Sequence, residues 1–255
     1  MGRLQGKVVI LTGAGGDIGG ATARLLASEG ARLLLVDREP NALAALTQEL
    51  GDQARQVVAD VTCQKDTERF VAAALEHFGR VDVLLANAGV EGQIGARLHE
   101  SSPDNFERVM AVNVTGAYLS LRAVLPAMLA SGGGSIVLTS SIAGLAGVPG
   151  ASAYVTSKHA LLGLARTAAL EYAAQGIRVN TVNPAPVRSR MMTSIEQGLA
   201  PDDVAGVQRA VLASIALGRY VEPLEVARML LFLASDDASF CTGSAYLVDG
   251  GISAQ

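Results

Sequence analysis

Short apolar runs alternate with longer amphipathic stretches along the whole chain. The runs, rich in β-branched residues and leucine, fall at 8–11, 32–36, 56–58, 81–85, 135–138, 178–182 and 245–248. Between them lie alanine-rich stretches with helical periodicity, including one long helix predicted over 152–174. This alternation predicts an α/β fold: a doubly wound parallel sheet of about seven strands with helices on both faces. No repeat, low-complexity segment or linker interrupts it, so residues 1–255 are expected to form one domain. The most irregular region is 184–217, from which a substrate lid is expected over about 186–217. Ligands of such sheets bind beyond the carboxyl ends of the strands, where the strand order reverses, so the chemistry is sought just after strands.

Composition narrows the choice of partners. A net charge of -4, from 20 basic and 24 acidic residues without any block of like charge, makes nucleic acid and anionic membranes poor partners. Cys63 and Cys241 form no motif with each other or with the three histidines, so neither a disulfide framework nor a metal site is indicated. The apolar run at 8–11 breaks at Thr12-Gly13 and is too short for a signal peptide, and no segment is read as reaching a membrane span of ~20 apolar residues. A soluble protein in a reducing cytoplasm is expected.

The first strand ends in Thr12-Gly13-Ala14-Gly15-Gly16-Asp17-Ile18-Gly19, and a helix starts there. Glycines allow a tight turn and close approach to a pyrophosphate, whose charge then faces helix N-terminal amides. The second strand ends in Asp37, a carboxylate able to accept both ribose hydroxyls of an adenosine and to repel a 2′-phosphate. The expected cofactor is therefore NAD, with NADP less favoured; Arg38 is the residue able to take a 2′-phosphate. In the predicted long helix, Tyr154 and Lys158 stand at i and i+4 and share a face. A cation beside a phenol favours the phenolate, which would make Tyr154 a usable acid or base near neutrality.

Taken together the motifs resemble the short-chain dehydrogenase/reductase family, in its compact single-domain form. The likeness covers essentially the whole chain: the glycine loop, Asp60-Val61, Asn87-Ala88-Gly89, Asn113, Ser141, Tyr154 and Lys158, Asn183-Pro184, and Val248-Asp249-Gly250-Gly251, with thirteen residues from Ser141 to Tyr154. The resemblance implies a Rossmann-like fold and a hydride transfer between nicotinamide and a carbinol carbon. It makes Tyr154 the general acid/base and Ser141 a hydrogen-bond partner of the reacting oxygen. It has Lys158 lower the phenol's pKa and hold the nicotinamide ribose, and Asn113 fix a water in a proton relay through Lys158. Gly13, Gly15, Asp17, Ile18 and Gly19 would meet the cofactor, as would Asp60, Val61, Asn87, Ala88, Gly89, Pro184, Val187 and Ser189. It also implies a homotetramer, built on the helix bearing Tyr154, the helical stretch 106–129 and the Gly250-Gly251 end.

The chain departs from the family pattern in two places, the glycine loop and the segment after the sixth strand. Asp17 replaces the middle glycine of the loop; it can favour the helix dipole, yet it brings negative charge toward a pyrophosphate. Ala185 follows Asn183-Pro184 where glycine is usual, and Ser189 stands where threonine is expected to bond the carboxamide. The substrate pocket is assigned to Ser141, Ala143, Gly144, Gln93, Val148, Met191 and Met192, mostly apolar, with Arg188 and Arg190 read as solvated. An uncharged secondary alcohol or ketone, cyclic or bulky aliphatic, fits such walls. The alternatives are a 3-oxoacyl-carrier-protein reductase using NADPH and, from another class, a non-catalytic dinucleotide-sensing regulator. Retention of Asn113, Ser141, Tyr154 and Lys158 argues against the regulator.

Overall fold

A computed structural model describes residues 2–254. Seven strands, β1 (Val8–Thr12), β2 (Arg32–Asp37), β3 (Ala54–Val58), β4 (Val83–Ala86), β5 (Gly134–Thr139), β6 (Ile177–Pro184) and β7 (Ala245–Val248), form one sheet in the order β3-β2-β1-β4-β5-β6-β7. Every pairing is parallel. The connections carry helices α1 (Asp17–Ser28), α2 (Pro40–Leu50), α3 (Gln64–Phe78), α4 (Pro103–Met110) and α5 (Gly116–Ala130). After them come α6 (Ser152–Tyr172), α7 (Arg190–Leu199), α8 (Val204–Ser214) and α9 (Pro223–Ala234).

Side chains alternate along each strand, so a sheet buried on both sides needs apolar residues at consecutive positions. Val9 and Leu11 of β1 join Leu33, Leu35, Val83 and Leu85 on one face, against Ala23 and Leu26 of α1 and Val226 and Leu230 of α9. Ile10 joins Leu34, Leu84, Ile136 and Leu138 on the other, against Phe70 of α3, Val124 and Met128 of α5 and Leu161 of α6. At the amino ends of the strands the Asp82 carboxylate, buried, accepts the Val8 N–H at 2.8 Å and pairs with Arg80 at 2.6 Å, which pins β1 against β4. The chain winds from β1 out to β3 and then returns to β4 on the other side of β1. The order therefore reverses between β1 and β4, and a crevice opens at their carboxyl ends.

Two expectations are corrected. The irregular region 184–217 contains two capped helices: Ser189 Oγ accepts the Met192 N–H at 3.2 Å to start α7, and Asp203 Oδ1 accepts the Gly206 N–H at 2.8 Å to start α8. The run Pro103–Ala130 is helical throughout, and by length and composition alone it is apolar enough to cross a membrane. Leu121, Val124 and Met128 of this run pack into the core. A turn of π-helix at Ala111–Thr115 separates α4 from α5 within this run. The extra residue in that turn rotates the following face, a feature that often marks functional positions.

Candidate active site

The crevice between β1 and β4 is a cleft of about 480 Å³, walled by the glycine loop, the ends of β2, β3 and β4, and the start of α7. Gly13 has φ +66°, and a Cβ there would lie 2.8 Å from the Ala88 Cα, so only glycine lets the β1 loop and the β4 loop touch. Thr12 and Asn87 lock that contact. Thr12 Oγ1 accepts the Asn87 and Ala88 N–H groups at 3.1 and 3.2 Å, and Asn87 Nδ2 donates to the Thr12 and Gly13 carbonyls at 3.3 and 3.2 Å. Thr12 was not among the expected site residues; its signal is a lone hydroxyl closing an apolar strand just before the glycines.

Gly13, Asp17, Ile18, Gly19, Asp37, Arg38, Asp60, Val61, Asn87, Ala88, Gly89 and Ser189 all line this cleft. Gly15 does not: its N–H donates to Asp37 Oδ2 at 2.9 Å, and its Cα faces Ala42 of α2. With Asp37 Oδ1 accepting the Glu39 N–H at 3.1 Å, the carboxylate is fixed at the end of β2 with lone pairs left over toward the cleft. The donor set fits a dinucleotide: a carboxylate oriented for ribose hydroxyls, a glycine turn at a helix start, and small residues along the floor. Arg38 is largely exposed and lies 3.5 Å from Glu39.

A second cavity of about 240 Å³ adjoins the first and holds Ser141, Tyr154 and Lys158 together. Ser141 Oγ accepts the Ala143 N–H at 3.1 Å, and the Ser141 hydroxyl stands near enough to the Tyr154 phenol to favour its charged form. Lys158 is buried, its Nζ donating to the Thr139 carbonyl at 2.8 Å and lying 5.4 Å from the Tyr154 ring centre. Burial pushes the Tyr154 phenol up to about 12, opposed by the Ser141 bond and reinforced by the charge of Glu91. Burial also lowers the Lys158 ammonium to about 8. Desolvation favours the neutral form of each group.

Asn113 lies outside both cavities, almost fully buried on the π-helical turn. Its Oδ1 accepts the Val90 N–H at 2.8 Å, and its Nδ2 donates to the Val90 carbonyl and to Ser157 Oγ, both at 2.9 Å. Its amide thus braces the loop after β4 against α6. Ser189 is similarly committed, its hydroxyl donating to the Val187 carbonyl at 3.1 Å while capping α7.

The expected pocket residues Ser141, Ala143, Val148, Met191 and Met192 line the second cavity, with Pro184, Ala185 and Val187 at its base. Ala185 is accommodated without strain, donating to the Val248 carbonyl at 3.0 Å in line with the β6–β7 ladder. Two expected residues fall outside. Gln93 is exposed, and its N–H is held by Asn105 Oδ1 at 2.8 Å. Gly144 packs behind the site, where a Cβ would meet Ser140 Oγ at 2.6 Å and the Lys158 carbonyl oxygen at 2.8 Å. The remaining wall comes from Ile94, Ala151, Ile195, Leu199 and Val211, most of them in the two helices read as irregular. Neither lid arginine is free: Arg188 Nε bonds Glu222 at 2.8 Å and sits over the Tyr220 ring at 5.8 Å, and Arg190 is tied to the glycine loop.

Comparison with known proteins agrees with this geometry. Residues 13–253 match the family described as enoyl-(acyl carrier protein) reductase, a short-chain dehydrogenase/reductase grouping. The chain is 38% identical to cyclohexanol dehydrogenase of Acinetobacter sp. (strain SE19) over 97% of its own length and 95% of the relative's. Among solved structures it superposes on levodione reductase with a TM-score of 0.95 at 35% identity, covering 99% of each chain. It superposes on NAD+-bound xylitol dehydrogenase with a TM-score of 0.94 at 37% identity, covering 97% of this chain and 99% of that one. For the 3-ketoacyl-(acyl-carrier-protein) reductase of Brucella melitensis complexed with NADH, the values are 0.90 and 32%, over 98% and 99%. The protein belongs to the short-chain dehydrogenase/reductase family and is an oxidoreductase.

Replacing Asn113 with Ala leaves the Val90 amide group and Ser157 without their buried partner, at about 1–3 kcal/mol per unsatisfied group. The expected result is a lower urea midpoint and faster hydrogen exchange at Val90, with far smaller change in the strands of the opposite half-sheet. Unchanged exchange at Val90 contradicts the bracing role.

Proposed function

We propose that the protein is an NAD(H)-dependent dehydrogenase/reductase for an uncharged secondary alcohol or ketone, cyclic or bulky aliphatic. The observation that carries this reading is the second cavity. Its walls are almost wholly apolar, and its polar groups converge on Ser141, Tyr154 and Lys158 at the border with the cofactor cleft. A ring or branched chain gains about 25 cal/mol per Å² of apolar surface removed from water there, whereas, among the described residues, no arginine lines this cavity to meet a substrate carboxylate or phosphate. The names of the cyclohexanol and levodione relatives support the same substrate class.

In this reading the nicotinamide, when bound, supplies or accepts the hydride at the carbinol carbon. Asp37 orients the adenosine ribose, and the glycine loop with the start of α1 receives the pyrophosphate. Tyr154 moves the proton at the substrate oxygen, and Ser141 donates a hydrogen bond to that same oxygen, stabilising charge that develops on it. Lys158, fixed by the Thr139 carbonyl, holds a titratable charge beside the phenol ring. Any substrate oxygen and cofactor brought into the cavity add to the field that sets the balance between phenol and phenolate. The segment 186–217 serves as a lid whose helices exclude water from this chemistry.

A second reading, reduction of a 3-oxoacyl carrier thioester, is favoured by the likeness to the Brucella enzyme. That neighbour was crystallised with NADH, so a preference for NAD over NADP does not separate the two readings. The substrate does. Finally, we propose a homotetramer, supported by apolar side chains left exposed on the α4–α6 side and on β7, including Phe106, Tyr118, Leu170 and Leu247.

Absorbance at 340 nm with NAD or NADP and a panel of cyclohexanols, hydroxysteroids, polyols, aliphatic alcohols and 3-hydroxyacyl thioesters tests the function. NAD-linked oxidation of cyclic or bulky alcohols is expected, and exclusive turnover of thioesters moves the assignment to the carrier-protein reductase. Tyr154→Phe should bind dinucleotide as wild type does while kcat falls by roughly 10²–10⁴-fold. Oxidation needs the Tyr154 phenolate and reduction its phenol. In wild type, kcat/KM for oxidation should therefore rise as pH climbs toward the phenol's value of about 12, while that for reduction falls. A flat oxidation profile excludes Tyr154 as the base. Asp37→Ala should reduce the preference for NAD over NADP by about tenfold, measured as a ratio of kcat/KM values. A wild type that already prefers NADP overturns the role of Asp37. Sedimentation equilibrium should return the mass of four chains; a monomer at assay concentration refutes the assembly.

A further inference from the structure

Asp17 occupies the loop position where this family usually carries glycine. Its carboxylate turns away from its own helix and crosses the mouth of the cofactor cleft. Oδ2 accepts the backbone N–H of Arg190, the first residue of α7, at 2.8 Å, and Oδ1 lies 3.6 Å from Arg190 Nε. Arg190 Nη2 in turn donates to the Gly15 carbonyl at 3.0 Å. Asp17 and Arg190 both line the cofactor cleft, beside Gly16 and Gly19.

A bare carboxylate at this place works against the site. The glycine loop and the start of α1 offer N–H groups to an anion, and like charges a few ångströms apart repel strongly where water is partly excluded. Arg190 removes that conflict by neutralising Asp17, and most of its five N–H donors remain available to the cleft. The other cations near the loop are engaged elsewhere: Arg188 with Glu222 at 2.8 Å, Arg24 with Glu49 at 2.7 Å, and Arg38 at the Asp37 end of the cleft beside Glu39 at 3.5 Å. A solvent-exposed ion pair alone contributes little. Here the pair is joined by a charge-assisted bond to a helix N-terminal amide and by a bond to the loop backbone, so three contacts act on one joint.

We infer that Asp17 and Arg190 form a latch between the phosphate-binding loop and the lid. Asp17 holds the start of α7 on the loop, and Arg190, so placed, is a dinucleotide-binding residue that contacts the diphosphate. The inference rests on the dinucleotide reading above. Cofactor binding and ordering of α7 are then one coupled event, and the loss caused by removing Arg190 comes largely from the uncompensated Asp17.

The test is a double-mutant cycle of wild type, Asp17→Asn, Arg190→Ala and the double variant. Two measurements are made: the NADH dissociation constant by fluorescence titration, and hydrogen exchange of α7 amides without dinucleotide. Arg190→Ala should weaken NADH binding by about tenfold, the scale of one unpaired charge at a binding site. Adding Asp17→Asn should restore most of that loss, and each single variant should speed exchange in the first turn of α7 while β1 and β4 are unaffected. Strictly additive effects on binding, or α7 exchange unchanged in all three variants, overturn the latch. Failure of the wild type to bind either NADH or NADPH overturns the dinucleotide reading itself and the latch with it, an outcome distinct from binding with additivity.

Discussion

The reversal of strand order between β1 and β4 is the constraint from which the rest of the site follows. Each strand needs a helical crossover to reach its parallel neighbour, and crossovers that leave in opposite directions cannot cover the gap between the two strands. The gap must therefore be closed by the chain's own loops. Thr12 and Asn87 do this by exchanging hydrogen bonds across it, with Gly13 allowing the contact at a separation no side chain tolerates. What remains open above them is a cleft whose floor is small residues and whose corners are Asp37, Asp60 and the start of α1.

Burial of the reacting groups is the second determinant. Lys158 has little access to water, and its ammonium depends on the carbonyl of Thr139, the last residue of β5. The same helix turn is tied down by Ser140 Oγ, which donates to the Lys158 carbonyl at 2.9 Å, and by Ser157, which donates to the Tyr154 carbonyl at 2.7 Å. In this frame the phenol and the ammonium are both pushed toward neutrality, the phenol to about 12 and the ammonium to about 8.

Polar joints hold the apolar wall of the second cavity in place. α7 and α8 contribute Met191, Met192, Ile195, Leu199 and Val211 to that wall, yet their positions are set by polar contacts on their outer sides. The carboxylate of Glu196, buried in α7, accepts the Tyr220 hydroxyl and the Gln208 amide at 2.8 Å, so one acidic group ties α7 to α8 and to the segment before α9. Burial and the neighbouring carboxylate push the Tyr220 phenol up to about 12, so it stays a donor over the whole neutral range.

By itself the sequence determined the sheet and its seven strands, and placed the candidate site residues at the strand ends, because these are local matters. Strands buried on both faces must be apolar at consecutive positions, glycine turns and acidic strand ends are short-range signals, and Tyr154 and Lys158 share a face through helix geometry alone. Only the tertiary structure decided which of these groups meet. Asn113 was legible as a polar residue matching the family pattern, but its turn toward Val90 depends on a π-helical insertion that no local period announces. Gln93 and Gly144 read as pocket residues, yet they lie outside, because the loop after β4 is pulled to Asn105 and the turn after Ser141 packs on α6. Asp17 left two outcomes open, repulsion or a side chain turned away, and its partner Arg190 lies 173 positions along the chain. Contacts of that range are set by how the layers stack, and a linear pattern of residues carries no record of it.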